Sequence, residues 1–330
     1  MTRVLVTGAS GFLGTHLVGA LAILQDFEVL ACSRERPSNL PDNADFLASP
    51  DLGSTSDWSE ILTGVECVIH AAGLAADLGS SDAMNLANLR NVNVEGTLAL
   101  AEQAAALEVS RFIFISTAKV HGEISEIGVP FKESDIHAPS GAYSTSKSEA
   151  ERGLRTIARM TGMELVIVRP PLIYGSGVQG NFKRLSMVVG KGIPVPLGSV
   201  DNLRSMAAVE NVVDFLVICV SHPSAANETF FVSDGSDMST PSLLRHLGDA
   251  MGKPVRLFRC PVDVLNSLAS IFGKRATLDR LTGSFQVDIG KARRLLGWTP
   301  PINVKDALQH TVMCLIGRDR QSLYPSQLRE

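Results

Sequence analysis

Five stretches in the first half are apolar at nearly every position: RVLVTG from Arg3, EVLACS from Glu28, ECVIHAAG from Glu66, RFIFIST from Arg111 and ELVIVRP from Glu164. Strands that are apolar on both faces lie in a sheet covered on both sides. A shorter run, ADFLA from Ala44, fits the same set. Between these runs the spacing changes. Leu13, Leu17, Ala20, Leu21 and Leu24 recur at helical period. A long alanine-rich helix is expected from about Asn93 to Leu107, and another carries Tyr143. Strand and helix in alternation predict an α/β fold of Rossmann type, a doubly wound parallel sheet.

After Pro170 the texture changes, with glycine and proline frequent in PPLIYGSGVQGN and GKGIPVPLGS. A helix near Val209–Val220, a strand in ETFFVSDG and helices near Pro241–Met251 and Pro261–Phe272 are expected. Residues 1–170 then form the cofactor-binding portion. Residues 171–318 form a smaller mixed α/β portion for substrate, interleaved with the sheet because no linker intervenes. Residues 319–330 read as a solvated tail.

Bulk properties narrow the function classes. At 330 residues, 45% hydrophobic and 19% charged, the chain can bury a large core. A net charge of −4 and the lack of a basic run argue against nucleic acid. No apolar stretch of spanning length suggests membrane insertion. MTRVLVTGASG enters a strand directly, without a signal-peptide pattern. The five scattered cysteines fit a reducing cytoplasm, and the seven isolated histidines give no metal-ligand spacing.

TGASGFLG places Gly8, Gly11 and Gly14 at the first strand–helix junction. A plain tight turn explains many glycine triplets. Here the helix that follows and the second strand about twenty residues on give the dinucleotide fingerprint, with pyrophosphate at a helix amino terminus. The second strand ends in Ser33-Arg34, where a ribose-binding acid would stand. An arginine there suits a 2′-phosphate, so NAD(P)(H) is expected with a leaning to NADP. The alternative is that Arg34 stacks on adenine or faces water while NAD binds.

Tyr143 and Lys147 share a helix face in GAYSTSKSEAE. Taken alone the pair is as readily a surface turn. A free phenol ionises near pH 10, yet an ammonium about 4 Å away favours phenolate by up to about 4 kcal/mol at an effective dielectric near 20. A helix amino terminus and an oxidised nicotinamide act in the same direction. Thr117, at the carboxyl end of RFIFIST, would share the hydrogen bonds of a substrate oxygen. A helix cap is the bland reading for such a hydroxyl.

The ordered set of Gly8-x-x-Gly11-x-x-Gly14, HAAG at His70–Gly73, NVEGT from Asn93, Ser116-Thr117, Tyr143-x-x-x-Lys147, RPPLIYG and GKARRLLGWTPP resembles the extended short-chain dehydrogenases/reductases. The nucleotide-sugar epimerase/dehydratase branch is the nearest, and the likeness covers nearly the whole chain. It implies catalysis by Thr117, Tyr143 and Lys147. It implies a cofactor bed of Gly8, Gly11, Phe12, Leu13, Gly14, Ser33, Arg34, Asp51, Leu52, Ala71, Ala72, Gly73, Asn93, Tyr143, Lys147 and Pro170. For a UDP-sugar it implies Thr117, Asn181, Arg204 and Arg280, the two arginines clamping the diphosphate. A homodimer through the Asn93–Leu107 and Tyr143–Met160 helices would require apolar outward faces on both.

Departures from the family narrow the reaction. Sugar dehydratases carry an acid pair after the threonine, whereas Ala118 and Lys119 stand here. His121 replaces a frequent tyrosine and Leu172 a usual asparagine. STAKVHGE with RPPLIYGSGVQGNF is most similar to bacterial UDP-sugar 4-ketoreductases and related UDP-glucose 4-epimerases. The main expectation is a UDP-4-keto-6-deoxy-hexose 4-ketoreductase of surface-polysaccharide synthesis. The alternative is a UDP-glucose or UDP-N-acetylglucosamine 4-epimerase with retained NAD. A 3β-hydroxysteroid-type dehydrogenase would have little use for Arg204 and Arg280, and a non-catalytic sensor would not need Tyr143 and Lys147.

Overall fold

The computed structural model describes residues 1–74, 86–273 and 275–317. The expected tail at 319–330 lies outside them. Seven strands form one parallel sheet: β1 (Thr2–Thr7), β2 (Phe27–Ser33), β3 (Ala44–Ala48), β4 (Cys67–His70), β5 (Arg111–Ile115), β6 (Glu164–Arg169) and β9 (Thr229–Phe231). Their spatial order is β3-β2-β1-β4-β5-β6-β9, every pairing parallel. The order reverses between β1 and β4, which opens a crevice at their carboxyl ends.

Alternation along β1 shows why the runs are apolar throughout. Val4 and Val6 enter one core cluster and Leu5 the other, all three fully buried. The first cluster lies under α1 (Phe12–Ile23) and α6 (Val209–Ser221), which pack together. The second lies under α3 (Gly96–Ala106) and α4 (Ala142–Thr161). Arg111 anchors α6: it donates to the carbonyls of Cys219 and Val220 at the helix end and pairs with Glu164 at 2.6 Å. A cation there meets the negative end of the helix dipole.

The alanine-rich helix does not run unbroken from Asn93. A short α2 (Leu86–Arg90) leads into one π-turn, Asn91–Glu95, before α3 begins. The outward faces of α3 and α4 differ from the apolar ones expected. α3 exposes Glu102, the π-turn just before it exposes Glu95, α4 exposes Arg152, Thr156 and Arg159 beside Met160, and Arg90 pairs with Glu149 at 2.7 Å. Charged groups of both signs stay solvated there.

The later residues add β7 (Leu172–Tyr174), paired with β8 (Met206–Ala208), and α5 (Gly180–Gly190). They also add α7 (Thr240–Met251), α8 (Val262–Ile271), α9 (Arg275–Thr282), α10 (Gly290–Leu296) and α11 (Val304–Leu315). A third core forms where α7 meets α5 and α11. No helix among the described residues is long and apolar enough to cross a membrane.

Candidate active site

The crevice is built first by glycine. Gly8 leaves β1 with φ 73°, and a Cβ there would lie 2.7 Å from the Ala72 nitrogen, so the turn rests on the loop after β4. A Cβ on Gly14 would come within 2.1 Å of the Gly8 carbonyl oxygen, which is how closely α1 is seated on the turn. Gly11 caps α1 without a side-chain hydrogen bond, and Phe12 and Leu13 form the first turn. The backbone amides and the positive end of the helix therefore face the crevice, a fit for pyrophosphate.

Farther along the cradle, Ser33 is buried and donates to the Glu35 carbonyl at 2.7 Å. Arg34 and Asp51 are exposed and Leu52 is half-buried at the carboxyl ends of β2 and β3. Ala71, Ala72 and Gly73 line the other wall. The Asn93 side chain grips the backbone of Leu74 on both sides, accepting at 2.8 Å and donating at 3.0 Å. Its amide also donates to Ser146 at 3.1 Å, and Ser146 donates to the Tyr143 carbonyl at 2.8 Å. The π-turn presents Asn93 to all three partners, a recurrent use of such turns at functional sites.

Tyr143 is the second residue of α4, inside its first turn, and is half-buried. One turn on, Lys147 is buried at 5% exposure and donates to the Ile115 carbonyl at 2.9 Å. Its ammonium lies 4.5 Å from the centre of the Phe114 ring. Burial brings its pKa down to about 8, with Glu151 acting against the fall. At neutral pH it is thus mainly an ammonium. A Cβ on Gly73 would lie 3.5 Å from its Nζ, so the loop after β4 and the lysine meet.

Thr117 and Ser116 are both buried past the end of β5, with different duties. Ser116 donates to Glu151 at 2.6 Å and is occupied. Thr117 caps the 3₁₀ turn Ala118–His121 and accepts from the Lys119 amide at 3.3 Å, which leaves its proton to donate. Pro170 holds this segment by accepting from the Ala118 amide at 2.9 Å.

Of the groups expected to hold substrate, Arg204 donates to the Gly283 carbonyl at 2.8 Å and lies over Phe285. Burial and the neighbouring Arg280 lower its pKa, while Glu123 raises it. Two guanidiniums close enough to repel suit a shared anion. Arg280 is exposed on α9, and Asn181 is exposed at the start of α5, where it accepts from Arg184. Leu172 opens β7 at 43% exposure, and Lys119 pairs with Glu123 at 3.0 Å.

Sequence reasoning missed a buried group behind the site. Arg169 forks onto Glu151 at 2.9 and 2.5 Å and reaches His121 at 2.8 Å and His137 at 2.7 Å. One signal was local: Glu151 follows Lys147 at the interval by which Lys147 follows Tyr143.

A glycine cradle at a sheet's switch point, with a tyrosine–lysine helix beside it, defines a Rossmann-type dinucleotide enzyme. The family model described as "NAD dependent epimerase/dehydratase family" matches residues 4–232, and the chain belongs to that family. It is an NAD-dependent enzyme of the extended short-chain dehydrogenase/reductase, nucleotide-sugar kind. It is 40% identical to a UDP-glucose 4-epimerase of Vibrio cholerae, over 95% of each chain. Among solved structures, a UDP-glucuronic acid 4-epimerase from Bacillus cereus in complex with NAD aligns with TM-score 0.77 at 20% identity, covering 96% of this chain and 99% of that one. A UDP-glucose 4-epimerase from Thermotoga maritima with UDP-glucose aligns with TM-score 0.75 at 23% identity, covering 96% and 99%.

Proposed function

We propose that the protein interconverts C4 epimers of a UDP-hexose, with NAD held through the cycle. The observation that supports this most is the 40% identity to a UDP-glucose 4-epimerase across 95% of both chains. It shifts the preference from the 4-ketoreductase expected of the sequence to the epimerase named beside it. Gly8, Gly11 and Gly14 would hold the pyrophosphate, with Ala71–Gly73 and Asn93 at the nicotinamide half.

Bound NAD supplies a hydride acceptor and donor for the sugar C4 carbon. Tyr143, as phenolate, takes the C4 hydroxyl proton and later returns it. Lys147 stabilises that phenolate from one helical turn away, and Thr117 donates to the same sugar oxygen. Arg204 and Arg280 would hold the diphosphate while the 4-keto sugar turns to offer its other face.

A ketoreductase using NADPH is the second reading. It is supported by Arg34, exposed at the end of β2 where a ribose carboxylate would stand. The test is to release and identify the dinucleotide carried by the purified protein, then supply UDP-glucose and UDP-galactose. Retained NAD and epimer formation without net nicotinamide absorbance change are expected. A protein isolated empty that oxidises NADPH only with a UDP-4-keto-hexose would overturn the epimerase reading.

A further inference from the structure

Tyr143, Lys147 and Glu151 stand at successive turns on one face of α4. Glu151 is wholly buried, and its oxygens are held from β6 and from the residue just past β5. Oε1 accepts from the Ser116 hydroxyl at 2.6 Å and from Arg169 Nε at 2.9 Å. Oε2 accepts from the Arg169 Nη2 at 2.5 Å. Arg169, itself 1% exposed, then reaches Nε2 of both His121 and His137. A guanidinium only donates, so both imidazoles accept at Nε2 and carry their proton on Nδ1. His137 can then donate that proton to Ser148, 2.8 Å away. Burial and the Arg169 charge lower the pKa of both rings, that of His121 to about 4.

A buried ion pair is a poor stabilising device compared with apolar residues of similar volume. Its location gives it another use. The carboxylate lies one turn from Lys147, on the side away from Tyr143. It also ties down Ser116, between Ile115, whose carbonyl holds the lysine, and Thr117. We infer that Glu151 is a positioning residue of this site: it holds the Ser116 hydroxyl away from the sugar and provides the negative charge that keeps Lys147 an ammonium beside Tyr143. This deepens the C4-redox reading and rests on it.

Among the described residues, the groups around Lys147 leave this role to Glu151. From β5 it meets the Phe114 ring and the Ile115 carbonyl. From β4 it faces His70, which burial and Lys147 itself hold neutral. From the π-turn comes the uncharged amide of Asn93. From β6 comes Arg169, already paired with Glu151, and Arg155 of α4 lies 3.8 Å from the same carboxylate. Tyr143 is the proton-exchanging neighbour on its own helix. Burial opposes the ammonium and Glu151 supports it, so removing the carboxylate weakens the pull on the phenol.

Few tyrosines make the effect readable. The chain has three, Tyr143, Tyr174 and Tyr324. Tyr174 donates to Asp234 and its phenol is held well above 10. Phenolate absorbance against pH, with Tyr143→Phe as the blank, therefore isolates Tyr143. In NAD-loaded Glu151→Gln its ionisation is expected to move up by about one pH unit. The acid limb of the kcat profile should follow, with KM for UDP-hexose unchanged. Glu151→Gln strands the Arg169 charge, so Glu151→Gln/Arg169→Met is measured beside it and should move the titration the same way by less. Folded, NAD-loaded variants whose Tyr143 titration coincides with the parent would overturn the inference. If only the double variant folds, it decides. The titration needs no turnover, so an error in the substrate leaves this test standing.

Discussion

The Thr7 hydroxyl donates to Nδ1 of His70 across 2.7 Å, and the opposite side of the ring fixes that direction. Thr97 donates to the Asn93 carbonyl at 2.9 Å, so it must accept from His70 Nε2, 3.0 Å away. The Ala72 amide completes the run by donating to Thr7 at 3.4 Å. One neutral imidazole thus joins the loop after β4 to the π-turn that carries Asn93.

Replacing that imidazole by an apolar ring should loosen the cofactor bed while leaving the proton-exchanging groups in place. His70→Phe is expected to bind NAD about tenfold more weakly, equivalent to about 1.4 kcal/mol. Its kcat at saturating NAD should stay within about threefold of the parent. Isothermal titration with NAD and steady-state rates separate the two. A large loss of kcat with unchanged NAD affinity would place His70 in the chemistry instead.

Lys147→Met removes the ammonium but keeps a buried chain of similar length. Turnover is expected to fall by about 10² to 10⁴, the range for a lost acid/base function. Tyr143→Phe should fall at least as far, and NAD should remain bound to both. The two losses should not add, because each disables the same proton transfer. A double variant much slower than either single one would contradict the coupling.

Acid should weaken the fold through the buried histidines. His70 and His121 have pKa values lowered from 6.5 to about 3 and about 4, both mainly by burial. They are neutral when folded and take up protons on unfolding. The stability they contribute is complete above about pH 6.5 and is lost as pH falls toward 4. Asp234 acts in the opposite sense, since burial pushes its carboxyl from 3.8 up to about 6. Its contribution is complete below 3.8 and is lost as pH rises through 6, so it offsets part of the histidine effect. Urea unfolding at pH 7, 6 and 5 should show a net fall on acidification. His121→Gln keeps an acceptor for Arg169 without proton uptake, so its slope should be shallower by up to about 1.4 kcal/mol per pH unit. An unchanged slope would show that His121 is not a buried neutral base.

What the sequence disclosed was local. Gly8 and Gly14 sit where the chain must turn against its neighbour, and Tyr143 and Lys147 lie on one helix face, so spacing alone displays both. The sheet's strands were legible because residues such as Val4, Leu5 and Val6 are buried on alternate sides of a covered layer. The π-turn at Asn91–Glu95 was hidden because one widened turn barely alters a helical hydrophobic period. The Arg169 cluster was hidden for another reason: its partners Glu151, His137 and His121 lie 18, 32 and 48 residues away. The outward charges of α3 and α4 were in plain sight, and the expectation of apolar faces came from resemblance rather than from Glu102, Arg152 or Arg159.

The seventh strand has a practical consequence for protein engineering. β9 hydrogen-bonds to β6, and α6 lies over α1, although both come from residues beyond 200. Cutting the gene after Pro170 would strip the sheet of its outermost ribbon and one protective layer, inviting aggregation. A chimera that borrows another enzyme's sugar pocket must therefore splice around these two segments, at several junctions rather than one.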